Sequence, residues 1–296
     1  MIRFFAICAV ITNVSIAVAV DVPFGADALP FNVLKATLVI QAKSAKALPE
    51  PERSPDGQAA YNYYQCSVGR VLKGMAEVES LTFAVAKSLD LKSPDEYAGR
   101  FLFLEQVRNA EERQRFPVSG DAPVYRLVVG RLSAIDVSNG NRMDAITNYL
   151  KVVKEEPPSD APKPPLSENR AAWCSEYMAG DDPFLQRSVV LELHRYSYDS
   201  KAVKMLGDIV KRESTKHELK RDAVNALQAS GSIEAVAPLK VVAEDAKLPS
   251  LLRSHAVKAV GSLPGGQNEL KKWSEGSDGL LQRSSKKEFD RVNREK

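Results

Sequence analysis

Only three histidines and three cysteines occur in the 296-residue chain. His194, His217 and His255 fall at three different places in the pattern described below, and no His-x-x-x-His pair exists, so the usual helical zinc arrangement is excluded. No serine sits in a G-x-S-x-G elbow, and no glycine-rich loop leads into a Lys-Ser or Lys-Thr pair. Glu50, Glu52, Asp56 and the pair Glu111 and Glu112 are scattered loop carboxylates with no acid/base partner marked by spacing. The sequence therefore offers no catalytic residue, no metal site and no cofactor motif. Charge of one sign is also lacking: 41 Lys and Arg face 38 Asp and Glu. The excess of +3 lies between Lys271 and Lys296, where five Lys and three Arg meet five acidic residues. The body is neutral, without the broad basic face that drives nucleic-acid binding.

Long apolar runs are absent except at the start. Arg3, the mostly apolar stretch from Phe4 to Val18, and the small residues Ala17-Val18-Ala19 read as a signal peptide over 1–19, cleaved after Ala19. The run is shorter and more interrupted than a membrane-spanning helix requires. The expectation is a secreted or periplasmic protein with no membrane span after cleavage. Cleavage would leave Cys66 and Cys174. An oxidising compartment allows a disulfide between them, and two buried free thiols are the other, favoured reading.

What the sequence does have is a repeat. The segments "FLQRSVVLEL" (184–193), "ELKRDAVNAL" (218–227) and "LLRSHAVKAV" (251–260) align. Leu185, Leu219 and Leu252 correspond, as do Val189, Ala223 and Ala256, and Leu193, Leu227 and Val260, at spacings of 34 and 33 residues. Such a period marks stacked helix pairs, each burying its apolar face against its neighbours. Asp182 and Pro183 open the first helix, and its partner starts near Ser200. The pairs 216–228 with 232–244, and 249–260 with 267–273, follow. A helix from Ser167 to Gly180 precedes them, with Trp173, Cys174 and Tyr177 on one side, as a cap on the stack. The pattern R-x-A-V-x-A-L at Arg221–Leu227 resembles HEAT-like repeats, of the shorter kind found also in phycobilin lyases. The resemblance implies an α-solenoid over 168–273, with 274–296 a charged tail, frayed or disordered.

The first half reads differently. Residues 20–33 form a lead-in. "LKATLVIQAK" (34–43), "YNYYQCSVGRVLKG" (61–74, bent at Gly69), "EVESLTFAV" (77–85), "GRFLFLEQV" (99–107), "VYRLVVG" (124–130) and "SAIDV" (133–137) read as strands. In the third, Leu81, Phe83 and Val85 should face the core. "RMDAITNYLKVV" (142–153) reads as a closing helix. Residues 31–153 would thus form a small antiparallel β-barrel. Five prolines in 154–167 mark a stiff linker to the second domain.

"YYQCSVGRVLKG" followed by "YAGRFLFLEQ" resembles modules of the tissue-inhibitor-of-metalloproteinase and netrin type, which implies an OB-like barrel over roughly 34–137. Those inhibitors reach a catalytic zinc with an N-terminal cysteine. No cysteine stands near Val20, so that chemistry carries over to no residue here. The fold expected is α+β multidomain: an N-terminal OB-like antiparallel β-barrel and a C-terminal α-solenoid of HEAT-like helix pairs.

The expected function is a non-catalytic interaction or scaffold protein that binds another protein. The exposed side of the second helices nominates Lys204, Asp208, Lys211, Lys240 and Glu244. The alternative is a glycan-binding or enzymatic module centred on the barrel, where Tyr61 and Tyr63 share one face and could stack a sugar. Cross-strand packing is the other role open to these tyrosines.

Overall fold

The computed structural model describes residues 29–49, 61–74, 79–87, 90–91, 93–109, 113, 123–131, 133–156 and 163–294. The signal segment 1–19, residues 50–60 and residues 157–162 of the proline-rich linker lie outside the described residues. The fold is α+β, with two compact units dividing between Met143 and Asp144.

The first unit opens with helix α1 (Leu29–Lys35). This corrects the expected lead-in and a strand from 34. Leu29 and Val33, four residues apart, are buried, Leu34 is 56% exposed, and inward alternation starts only at Leu38. Six strands follow: β1 (Leu38–Ala47), β2 (Tyr61–Lys73), β3 (Ser80–Ala86), β4 (Phe101–Gln106), β5 (Val124–Arg131) and β6 (Ala134–Ile135). Their order is β1-β2-β3-β5-β4-β6, and a further β1–β4 pairing closes the first five into a barrel. The β3–β5 pairing is parallel and the others antiparallel. This arrangement is consistent with an OB-like fold. Gly69 falls in a bulge, because Gln41 pairs with Arg70 while Ala42 pairs with Val68.

Leu81, Phe83 and Val85 enter the barrel core with Ile40, Tyr64, Cys66, Tyr97, Leu102 and Leu104. Residues of opposite parity form a second cluster outside it, in which Tyr63, Ala84, Val107 and Val124 are buried. The Lys-Gly ending of β2 has a structural reason. Lys73 Nζ donates to the carbonyls of Val33 and Ala36 at 2.8 and 2.6 Å, capping α1. Gly74 has φ +95°, and a Cβ there would lie 2.8 Å from the Thr37 oxygen. At one barrel end the Asp90 carboxylate accepts from Asn62 Nδ2 (2.5 Å), Tyr64 Oη (2.5 Å), Tyr97 Oη (2.6 Å) and its neighbour's amide, Leu91 N (2.7 Å).

The second region is helical: α2 (Gly140–Glu155), α3 (Glu168–Met178), α4 (Pro183–Arg195), α5 (Ser200–Lys211), α6 (His217–Ala229), α7 (Val236–Glu244, led by a 3-10 turn at Ile233–Ala235), α8 (Ser250–Gly261), α9 (Gly266–Glu275) and α10 (Gly279–Arg294). The helix expected to close the barrel is α2. Its Tyr149 ring lies 4.7 Å from that of Trp173 in α3, and Trp173 Nε1 donates to the Ala145 carbonyl at 3.0 Å.

The repeat is visible in the helix starts. The N-caps of α4, α6 and α8 are Asp182, Lys216 and Pro249. Those of α5, the turn before α7, and α9 are Asp199, Ser232 and Gly265, each 33 residues from the last. The nine aligned apolar positions are all buried, and Leu193, Leu227 and Val260 are fully so. Helix α6 touches α4 and α8, while α5 touches α7. One further repeat position holds the layers together. Gln186, Lys220 and Arg253 each donate to a carbonyl at the end of an earlier helix or just past it: Gly180 (2.7 Å), Val210 (3.0 Å) and Ala243 (2.9 Å).

The tail is not frayed. Helix α10 packs on α8 and α9, with Leu281, Ser285 and Glu288 buried at helical spacing. Polar groups share in the anchoring: Asp278 accepts from the first amides of α10 and from Arg253 Nη2 of α8 at 2.5 Å, and Ser284 bonds Ser254 of α8 at 3.1 Å. A search for apolar periodicity passes over such a face.

Candidate interaction groove

Helix α5 is amphipathic by spacing: Ala202, Val203, Leu206, Ile209 and Val210 are buried, which turns Lys204, Asp208 and Lys211 outward. Asp199 fixes the start of the helix by accepting from Lys201 N (2.8 Å) and Ala202 N (3.4 Å). Across from it, Pro238 of α7 meets α5 at Gly207, where a Cβ would stand only 3.2 Å from the Pro238 ring. Between the helices runs a groove of about 570 Å³. Its floor is Val203, Gly207 and Pro238, one wall carries Lys201, Lys204, Asp208 and Lys211, and the other carries Glu234 and Ala237.

Three of the sequence candidates, Lys204, Asp208 and Lys211, therefore share one surface. Their charged groups, and that of Glu234, form no hydrogen bond or ion pair among the described residues. Lys201 is engaged, at 2.6 Å from Glu168. Lys240 and Glu244 lie on the other side of α7 and are consumed in bonds to α9. Lys240 Nζ is 3.0 Å from Glu269 Oε2, and Trp273 Nε1 donates to Glu244 Oε1 at 2.9 Å. The bond to Glu269, then the charge of Glu244, raises the Lys240 pKa; Lys272 and then Lys240 lower that of Glu269. One side of α7 is thus bridged and the other is open.

Tyr61 and Tyr63 stand in the other unit. Tyr63 is 6% exposed in the cluster outside the barrel core, and Tyr61 packs half-buried against it. They pair across the sheet with Ala84 and Ala86: Tyr63 with the first, Tyr61 with the second. Cys66 and Cys174 are buried and unpaired; burial pushes the Cys66 thiol up to about 12 and raises Cys174 as well.

The sequence reading missed Glu234 and a buried ionic cluster. Glu192, with no exposed surface, accepts from Arg170, from Arg195 Nη1 (3.0 Å) and from Tyr149 Oη (2.7 Å). Arg170 also pairs with Glu156. Its pKa is raised although burial opposes the charge, because the Glu192 carboxylate faces it. A signal was available: the positions equivalent to Glu192 in the next two repeats are Ala226 and Ala259, both buried. A carboxylate at a core alanine position announces an internal partner. Among the described residues no group of three or more His, Cys, Asp or Glu is placed to hold a metal, and no helix is long and apolar enough to cross a membrane.

No protein-family model matches the chain, and no curated protein is significantly similar to it. The groove must be read from its own chemistry.

Proposed function

We propose that this is an exported, non-catalytic interaction protein that seats part of another protein in the α5–α7 groove. On this reading the helix pairs are HEAT-like units stacked as a short solenoid, and the barrel is an OB-like module of the tissue-inhibitor and netrin type. The observation that carries the proposal is the open groove itself. Lys204, Asp208, Lys211 and Glu234 line an apolar floor without partners of their own, while on the other side of α7 Lys240 and Glu244 are held by Glu269 and Trp273 of α9. A polar rim over an apolar floor on rigid helices is the usual anatomy of a protein-binding patch.

The test is photo-crosslinking with the full chain in its source cells. A photoreactive residue at Lys204 or Lys211 should give a discrete adduct with another protein, and the same residue at Arg283 on α10 should not. No adduct from the groove, or equal adducts from both places, would overturn the reading.

A further inference from the structure

Helices α4, α6 and α8 touch in series, and α10 follows on α8. One joint of this row differs from the joint before it. Arg187 of α4, Arg221 of α6 and Ser254 of α8 are equivalent repeat positions, 34 and 33 residues apart, and Ser188, Asp222 and His255 form the next such column. At the first joint Arg187 reaches across to α6, its Nε 3.5 Å from Asp222 Oδ2. The Asp222 carboxylate, 4% exposed, thus supplies an anion between α4 and α6. At the second joint the same step leads from Arg221 to His255, an imidazole at the position of the carboxylate. Lys258, at i+3 from His255, adds a second cation where the earlier repeats hold Leu191 and Asn225.

Neither His255 nor Lys258 takes part in a hydrogen bond or ion pair among the described residues. Arg221 has only a long contact, Nη2 to Oδ1 of Asp222 at 3.8 Å. Burial, then the charges of Lys258 and Arg221, lower the His255 pKa, so both cations act on the ring. The other charged groups close by helical position are Glu218, one turn before Arg221, and Lys287 of α10, at i+3 from the Ser284 that meets Ser254 at 3.1 Å. The wider field is positive. Exposed Lys and Arg on α6, α8 and α10 number six against two exposed acids, Glu218 and Asp290, whereas α5, α7 with its leading turn, and α9 carry four of each.

We propose that the joint between α6 and α8 binds an external oxyanion of the phosphate type between Arg221, His255 and Lys258, in the place that Asp222 fills between α4 and α6. Arg221 offers a fork of N–H donors, Lys258 a compact charge, and His255 a ring N–H. A carboxylate has two oxygens for these three groups, whereas a phosphate has at least three and carries more charge. Free phosphate and the headgroup of an anionic phospholipid present this same chemistry. The site shares no residue with the α5–α7 groove, so it stands or falls apart from the reading given above.

The experiment follows the imidazoles of the full chain by NMR, with His255 assigned through His255→Gln. Excess inorganic phosphate, compared with sodium chloride at equal ionic strength, should raise the His255 titration midpoint by about one pH unit and leave His194 and His217 in place. A second arm sediments the chain with vesicles of phosphatidylglycerol and phosphatidylcholine, or of phosphatidylcholine alone. Retention on the first kind only assigns a lipid headgroup as the source, and a response to phosphate without retention assigns the free ion. Either response should be lost in Arg221→Ala with Lys258→Ala and kept in Lys271→Ala with Lys286→Ala, which removes as much charge elsewhere. All four side chains are exposed, and unchanged circular dichroism would show that the variants fold. The proposal is overturned if His255 does not respond to phosphate and no vesicle retains the chain selectively. It is equally overturned if the two double variants behave alike.

Discussion

The barrel and the helical unit bury similar side chains but connect them over different distances along the chain. In the barrel, closure depends on the seam between β1 and β4, where Thr37 bonds to the Leu104 carbonyl 67 positions away. In the helical unit, the repeated side-chain bonds of Lys220 and Arg253 each span ten residues, and equivalent positions recur every 33 or 34. A closed sheet therefore stands or falls as one piece, whereas helix pairs stacked as proposed above would contribute nearly additively with their neighbours. The comparison also explains where a binding surface can open. Removing a bond from the seam opens the barrel, but the groove between α5 and α7 leaves α5 packed on α6 and α7 packed on α8.

The largest expected effect tests that contrast directly. Phe83→Ala removes a fully buried ring from the barrel core and should cost about 3–5 kcal/mol. Cys66 should then react with a thiol reagent, because its protection depends on the barrel, while Cys174 stays protected. Equal exposure of both thiols would break the comparison. A similar magnitude applies in the helical unit. Arg170→Met leaves Glu192 buried against fewer cations and should cost about 3–5 kcal/mol in urea unfolding. Adding Glu192→Ala, the residue found in the other two repeats, should recover much of that loss. No recovery would show that the cluster does more than balance charge.

Gly74→Ala should cost about 1–3 kcal/mol, because φ is +95° there and the new methyl meets the Thr37 carbonyl. The loss should appear in the barrel probe, Cys66 reactivity, and not in Cys174. The smallest effect concerns pH. Burial lowers the pKa of His194, and burial, then Lys258 and Arg221, lower that of His255. Below the unfolded value of about 6.5 the unfolded chain takes up these protons before the folded one does. Stability should therefore fall as pH drops from 6.5 toward the folded pKa values, seen as a lower urea midpoint. His255→Gln should flatten the slope, and an unchanged slope would assign the effect elsewhere.

Much of the helical unit was legible because its signal recurs. Leu185, Leu219 and Leu252 announce a helix start three times over, and Asp182 with Pro183 does so within a single repeat. The barrel strands were legible by alternation, except where Leu34 continued the apolar pattern from a helix that leaves it in water. Helix α10 was missed because its inner face is made by Ser285 and Glu288 as much as by Leu281. In the groove, helical position alone found Lys204, Asp208 and Lys211. The same reasoning nominated Lys240 and Glu244, because nothing local says that Glu269 and Trp273 will arrive from the next helix to neutralise them.

Gly207 lies where α5 meets Pro238 of α7, and a methyl added there would stand just 3.2 Å from the Pro238 ring. The width available to a ligand is thus gauged by a single absent carbon. A lineage needing to admit a bulkier guest could pry the helices apart at that one codon, without rewriting either wall.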